Sequence, residues 1–158
     1  MNISAEFRIF ETEHWSVNQR MDCALPGYLI VSTKQSTTEL AALSHDALAE
    51  FGSLLSRVQA AVQKTVAAQR VYIGRYGHSP GYPLHFHVIP ICDWVEALFW
   101  QDERYRLLTT FADGTDTTQT DGAELTLFVW REFCERTTPP PISGISVAEA
   151  IQRLRATL

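Results

Sequence analysis

Residues 82–91 read Tyr82-Pro83-Leu84-His85-Phe86-His87-Val88-Ile89-Pro90-Ile91, an alternation of apolar and polar side chains followed by a purely apolar run. Successive side chains of a β-strand point to opposite faces, so Leu84, Phe86 and Val88 share one face while Pro83, His85 and His87 share the other. The first face belongs to a hydrophobic core and the second presents two neighbouring imidazoles. Such a pair can share a proton or coordinate a metal, and the ordinary imidazole pKa near 6.5 leaves it mostly neutral at pH 7. The strand is expected over Leu84–Ile91, with Pro90 marking its end. It follows a turn rich in Gly and Pro that itself carries His78 and Ser79.

Upstream, Val71-Tyr72-Ile73-Gly74-Arg75-Tyr76 reads as a partner strand, stopped by Gly77, Pro80 and Gly81. Before it, Leu48, Phe51, Leu55, Val58 and Val62 recur at spacings of three and four, the stripe of a long amphipathic helix. Ser44 suits its N-cap, and Asp46 complements the positive end of its dipole. Tyr28–Thr33 is β-branched and aromatic and follows a Pro26-Gly27 turn, while Phe7–Val17 has strand character too. Downstream the pattern turns helical through Leu98, Tyr105 and Leu108, and residues 112–120 read as a polar surface loop. Asp121 and Glu124 form a capping-box pattern for a helix through Phe133. Pro139-Pro140-Pro141 forces an extended connector, and Ser146 with Glu149 opens a last helix carrying Val147, Ile151, Leu154 and Leu158 on one face.

Strands in blocks, one long helix between them and helices after the last strand predict an α+β fold. Its antiparallel sheet is covered on one face by the long amphipathic helix, with additional C-terminal helices. Residues 1–138 are expected to form a single domain, and residues 139–158 a proline-led helical extension of it.

The composition limits the partners. A chain of 158 residues buries roughly two-thirds of its unfolded surface, enough for one real core. Its 13 Lys and Arg against 18 Asp and Glu give a net charge of −5, so no global field draws it to nucleic acid or anionic lipid. Any phosphate site must be local. Cys23, Cys92 and Cys134 are odd in number and widely spaced, unlike a disulfide framework or a zinc knuckle. No apolar run approaches the roughly 18 residues of a membrane helix. A cytoplasmic protein is expected, with no membrane or nucleic-acid partner.

With these residues in view, the segment resembles the histidine triad (HIT) superfamily of nucleotidyl hydrolases and transferases, whose signature is three histidines alternating with apolar residues before Val-Ile-Pro. His85 matches the middle histidine, the family nucleophile, and His87 the third, while Pro83 stands in place of the first. Pro26-Gly27-Tyr28-Leu29-Ile30-Val31 is similar to the family's Pro-Gly-His strand entry, and Leu43-Ser44 leads into a helix like its long one. Together the likeness spans roughly residues 17–91. Gly77-His78-Ser79 resembles the Gly-Gln-Ser/Thr element that holds a phosphate, displaced by one residue, and Asn18 resembles the Asn that binds ribose.

The resemblance implies attack by His85 on the α-phosphorus of a dinucleoside polyphosphate, such as a diadenosine polyphosphate, or of a nucleoside phosphoramidate. The product would be a covalent nucleotidyl-histidine that water resolves. His87 would assist as a hydrogen donor, and His78, Ser79, Arg75 and Asn18 would hold phosphate and ribose. No cofactor or metal is called for, and a homodimer is implied. Two other readings stay open: a nucleotide-binding module that has lost turnover with its first histidine, and a metal site built on His85 and His87 with His78 or Cys92. Trp94, Phe99, Trp100 and Tyr105 are expected in the core, and Cys92 as an inert buried thiol.

Overall fold

The computed structural model describes residues 3–76, 81–105 and 122–158. Five strands, β1 (Arg8–Glu11), β2 (Trp15–Gln19), β3 (Leu29–Thr33), β4 (Arg70–Gly74) and β5 (His85–Ile91), form one antiparallel sheet in the order β1-β2-β3-β5-β4. The long helix α1 (His45–Val66) joins β3 to β4. After β5 come α2 (Asp93–Gln101), α3 (Gly122–Val129), a π-helical segment over Trp130–Glu135, and α4 (Val147–Thr157). This is the expected α+β architecture with its long helix and C-terminal helices.

Register sorts the sheet's side chains. Val17 lies opposite Val31, Val31 opposite Phe86, and Leu29 opposite Val88, which in turn faces Ile73 across β4. That face packs against Ala47, Leu54, Val58, Ala61 and Val62 of α1. Trp15 anchors it: its ring stacks on Phe51 at 4.6 Å and its indole N–H donates to the Ala47 carbonyl at 3.0 Å. Leu48, expected on the buried stripe, is 41% exposed, and Leu54 takes its place. The turn that Ser44 opens aims Ala47 and Phe51 at Trp15, and Leu48 is then rotated outward by 100° from Ala47. Ser44 caps α1 by accepting from the Ala47 amide, and Ser146 caps α4 by accepting from the Glu149 amide. α4 packs against α1 and β1, and Arg155 donates to the carbonyls of Arg8, Ala5 and Glu6.

Other expectations change in detail. Phe7–Val17 is a hairpin of two strands, because the Thr12 hydroxyl gathers the amides of His14 and Trp15 into a tight turn. Pro90 lies inside β5, opposite Val71. The Ile91 carbonyl faces β4, where it accepts from the Gln69 amide, so Pro90 points the other way, past the last β3–β5 pair at Leu29–Val88. No donor is needed there, and the proline costs no ladder bond. The helical reading after β5 holds through Tyr105 apart from a break at Asp102, which ends α2 before residues 103–105 turn helical again, and Leu108, residues 112–120 and Asp121 lie outside the described residues. Trp94, Phe99, Trp100 and Tyr105 sit in or against the second core, as expected.

A buried side chain ties the turn between β2 and β3. Gln19 donates to the Leu25 carbonyl at 3.0 Å and accepts from the Gly27 amide at 3.1 Å. Gly27 has φ +78, and a Cβ there would stand 3.0 Å from Val66 Cγ1. Gly27→Ala is therefore expected to lower stability by roughly 1–2 kcal/mol, the cost of a left-handed non-glycine residue. Urea denaturation checks this, and an unchanged midpoint would show that the turn relaxes freely.

Candidate active site

Among the described residues, the second face of the sheet is only partly covered. α2, α3 and the π-helical segment close over Ile89, Ile91 and Tyr28 in a separate core. The remaining part carries Ser16 and Asn18 from β2, Ile30 and Ser32 from β3, and His85 and His87 from β5. Asn18 lies opposite Ile30 and Ile30 opposite His87, while Ser16 lies opposite Ser32 and Ser32 opposite His85. Register thus sets a ribbon of polar groups across three strands, and it brings Asn18, His85 and His87 onto one surface.

The imidazoles of His85 and His87 are 5.1 Å apart between centroids. His85 Nδ1 is 2.9 Å from the Pro83 carbonyl oxygen. A carbonyl only accepts, so Nδ1 carries the hydrogen and, in neutral His85, Nε2 keeps its lone pair. The proline that stands where the first triad histidine is expected thus supplies, through its backbone, the acceptor that selects this tautomer.

His87 is 9% exposed, and its Nδ1 lies 3.0 Å from the Tyr28 hydroxyl. Arg20 donates to that hydroxyl at 3.0 Å, and Asp22 receives two bonds from Arg20 at 2.7 and 3.1 Å. Burial, then the neighbouring His85 and Arg20, push the His87 pKa down to about 4, against a hydrogen bond with the Tyr76 backbone and the pull of Asp22. Burial raises the Tyr28 phenol well above its ordinary range, so it keeps its proton. The Tyr76 ring stands edge-on to His87 at 5.3 Å and lies over Gly74, where an added Cβ would meet it at 2.8 Å.

Asn18 is 2% exposed and donates through Nδ2 to the Ser16 hydroxyl at 3.4 Å. Its Oδ1 is buried with no protein partner. A buried acceptor left unpaired costs about 1–3 kcal/mol. Arg75 is not brought to the histidines: its guanidinium donates to the Thr38 carbonyl in the loop before α1. His78 and Ser79 lie outside the described residues. Tyr28, Arg20, Asp22 and Tyr76 are neighbours that the sequence does not mark, although Tyr28 and Tyr76 both lie in expected strands. Among the described residues no three His, Cys, Asp or Glu side chains converge as a metal site. Cys92 is buried, donates to the Val66 carbonyl at 3.2 Å, and is pushed up to about 11 by burial.

A HIT domain model matches residues 3–92, more than half of the chain. The chain belongs to the HIT family. The match begins well upstream of residue 17 and ends just past β5, so both the β1–β2 hairpin and the histidine strand fall within the HIT domain. Solved structures agree at the level of fold. A Hit-like protein involved in cell-cycle regulation from Bartonella henselae is 16% identical, with a TM-score of 0.54 over 96% of this chain and 85% of that one. A Zn-bound histidine triad family protein from Mycobacterium smegmatis is 15% identical, with a TM-score of 0.53 over 96% and 82%. The C. elegans NitFhit protein is 17% identical, with a TM-score of 0.54 over 82% of this chain and 27% of its own. The comparison with curated proteins gives no match.

The depressed His87 pKa has a consequence for stability. The unfolded chain, with an ordinary histidine near 6.5, binds more protons than the fold between that pH and about 4. His87 therefore favours the fold fully above 6.5, and this contribution falls as pH drops toward 4. His87→Asn is expected to flatten the pH dependence of unfolding free energy in that window by close to one proton. An unchanged slope between pH 6.5 and 4.5 would show that His87 titrates normally.

Proposed function

We propose that this HIT-family protein hydrolyses or transfers a nucleotidyl group, attacking the α-phosphate of a dinucleoside polyphosphate or nucleoside phosphoramidate through a covalent intermediate on His85. The observation that carries this reading is the His85 Nδ1 contact to the Pro83 carbonyl, which leaves Nε2 as a free nucleophile on an open sheet face. The Nε2 lone pair forms the N–P bond while the bond from phosphorus to the leaving group breaks with its electron pair. Water then attacks the same phosphorus and releases a proton to solvent, the N–P bond breaks, and the pair returns to Nε2. Splitting one displacement into two is the ordinary gain of covalent catalysis. The Nδ1–H held by Pro83 stabilises the positive charge the ring carries while phosphorylated.

His87 lies beside this nitrogen and donates toward phosphoryl or leaving-group oxygens. Asn18, with its unpaired buried Oδ1, suits a ribose hydroxyl. His78 and Ser79 precede the histidine strand closely enough in sequence to serve the phosphate, and Arg75 is retained only as a distant contributor of charge. β4 is an edge strand whose outer backbone groups are free of sheet pairing, which supports the two-fold dimer as our reading. Among the described residues no helix is long and apolar enough to cross a membrane, and we read the protein as cytoplasmic, with no nucleic-acid partner.

The test is turnover of a panel of dinucleoside polyphosphates and adenosine phosphoramidate by wild type and His85→Ala. Release of nucleoside monophosphate by wild type is expected, with a loss in His85→Ala of roughly 10³-fold or more and nucleotide binding retained in a thermal-shift assay. Wild-type protein that binds nucleotide without turning it over would instead make the chain a binding module.

A further inference from the structure

The hydrogen bonds around His87 admit one consistent assignment. Arg20 only donates, so the Tyr28 oxygen is the acceptor in their 3.0 Å bond. The phenol has one hydrogen of its own, and its other bonded neighbour is His87 Nδ1 at 3.0 Å. Tyr28 is 2% exposed, and among the described residues Nδ1 is the acceptor in reach of its buried hydrogen, so Tyr28 donates to Nδ1 and the proton of neutral His87 resides on Nε2. Protonating Nδ1 would remove that acceptor and strand the phenol hydrogen, with the Arg20 charge just behind the phenol. Asp22 pairs with Arg20 from the solvent side, its own side chain 68% exposed, and offsets the Arg20 charge at His87 only in part.

The titratable and charged groups facing His87 and this hydroxyl come from several elements. His85 is on the same strand, Tyr76 follows β4, and Arg20 and Asp22 lie in the turn after β2. Cys23 and Cys134 adjoin Tyr28. The register neighbours of His87, Ile30 on β3 and Gly74 on β4, carry no charge. Among the described residues the cation that bears on the imidazole is thus Arg20, and it opposes a second proton.

We propose that Arg20 and Tyr28 are positioning residues that hold His87 as a neutral imidazole with its proton on Nε2, so that the site favours nucleotide derivatives whose leaving group departs as a stable anion. The proposal rests on the reading of His85 as nucleophile. In the first displacement the electron pair of the P–O bond leaves with the leaving-group oxygen, which keeps a negative charge and accepts only a hydrogen bond from His87. A neutral imidazole is far too weak an acid to surrender that proton, whereas an imidazolium could. Leaving groups that must be protonated as they depart are therefore disfavoured.

Two measurements test this. Nitrogen-15 NMR of the folded protein at pH 5–8 reads the His87 tautomer and titration directly, without any substrate. Wild type is expected to show an unprotonated Nδ1 and no titration midpoint in that range, and Arg20→Gln an upward shift of the midpoint. The second is turnover of aryl esters of adenosine monophosphate whose phenols differ in acidity. Wild type is expected to lose roughly 10²-fold or more from the most to the least acidic phenol, the size a missing general acid commands. Arg20→Gln should shrink this spread at pH 5–6, where Arg20→Lys, which restores a cation, should keep it.

A proton on Nδ1, a His87 midpoint near 6.5 in wild type, or the same leaving-group dependence in Arg20→Gln would overturn the proposal. If the esters are not cleaved while the NMR shows the Nε2–H form, the nucleophile reading fails and the positioning role stands. Cleavage with a flat dependence on the phenol leaves the nucleophile intact and overturns the positioning role.

Discussion

β5 runs between β3 and β4, and its two-residue period divides the molecule. Because it is paired on both sides, its register cannot slip by one residue without exposing Phe86 and Val88 and burying His85 and His87 in the α1 core. Everything at the candidate site follows from that constraint. The packing of Phe86 against Trp15 and Phe51 on one face fixes the imidazoles on the other. The strand's approach, through Pro83, puts a carbonyl where it orients His85. The hydrophobic core and the candidate site therefore share one strand, and the packed face holds the imidazole face rigid.

The site stands out for how little charge it holds. Among the described residues, two imidazoles, a buried amide and two hydroxyls share this part of the sheet, and the Arg20 guanidinium is engaged by Tyr28 and Asp22. Burying Asn18 with an unpaired oxygen costs stability, and burying His87 costs it as pH falls below 6.5. That cost is offset by the two cores rather than within the site. Such a surface is prepared for a partner that brings its own charge and its own hydroxyl donors, as a nucleotide does. The cleft lined by Leu98, Asp102, Phe128, Glu132 and Arg136 is different: Glu132 already accepts from Arg104, Tyr105 and Arg136, and these bonds tie the cleft wall to the second core.

Much of this was legible from local pattern. The alternation in 84–88 and the helical stripe after Ser44 are periodic signals, and periodicity survives translation into structure. Pro90 was misread because a proline's cost depends on which neighbour its nitrogen faces, and that is set by where β3 ends. Leu48 and Leu54 exchanged places because the phase of a helix is fixed by its cap and by Trp15, which belongs to another element. The partners of His87 were the least legible. Tyr28 reaches it from 59 residues away, and Arg20 comes from a turn whose length has no rule in sequence. The Pro83 carbonyl is invisible to residue types altogether, since any residue has one. The sequence marks Pro83 as a loss, yet at the backbone it keeps an interaction.

The most direct test of the account is to stop the reaction early and locate the modified residue. Wild-type protein, incubated briefly with a dinucleoside polyphosphate and quenched at alkaline pH, would be digested and its histidine peptides read by mass spectrometry. A nucleotidyl group on the peptide carrying His85, absent from His85→Ala, is the predicted result. Steady product formation by wild type with the His85 peptide unmodified at every quench time, or with the nucleotide on another residue, would contradict it.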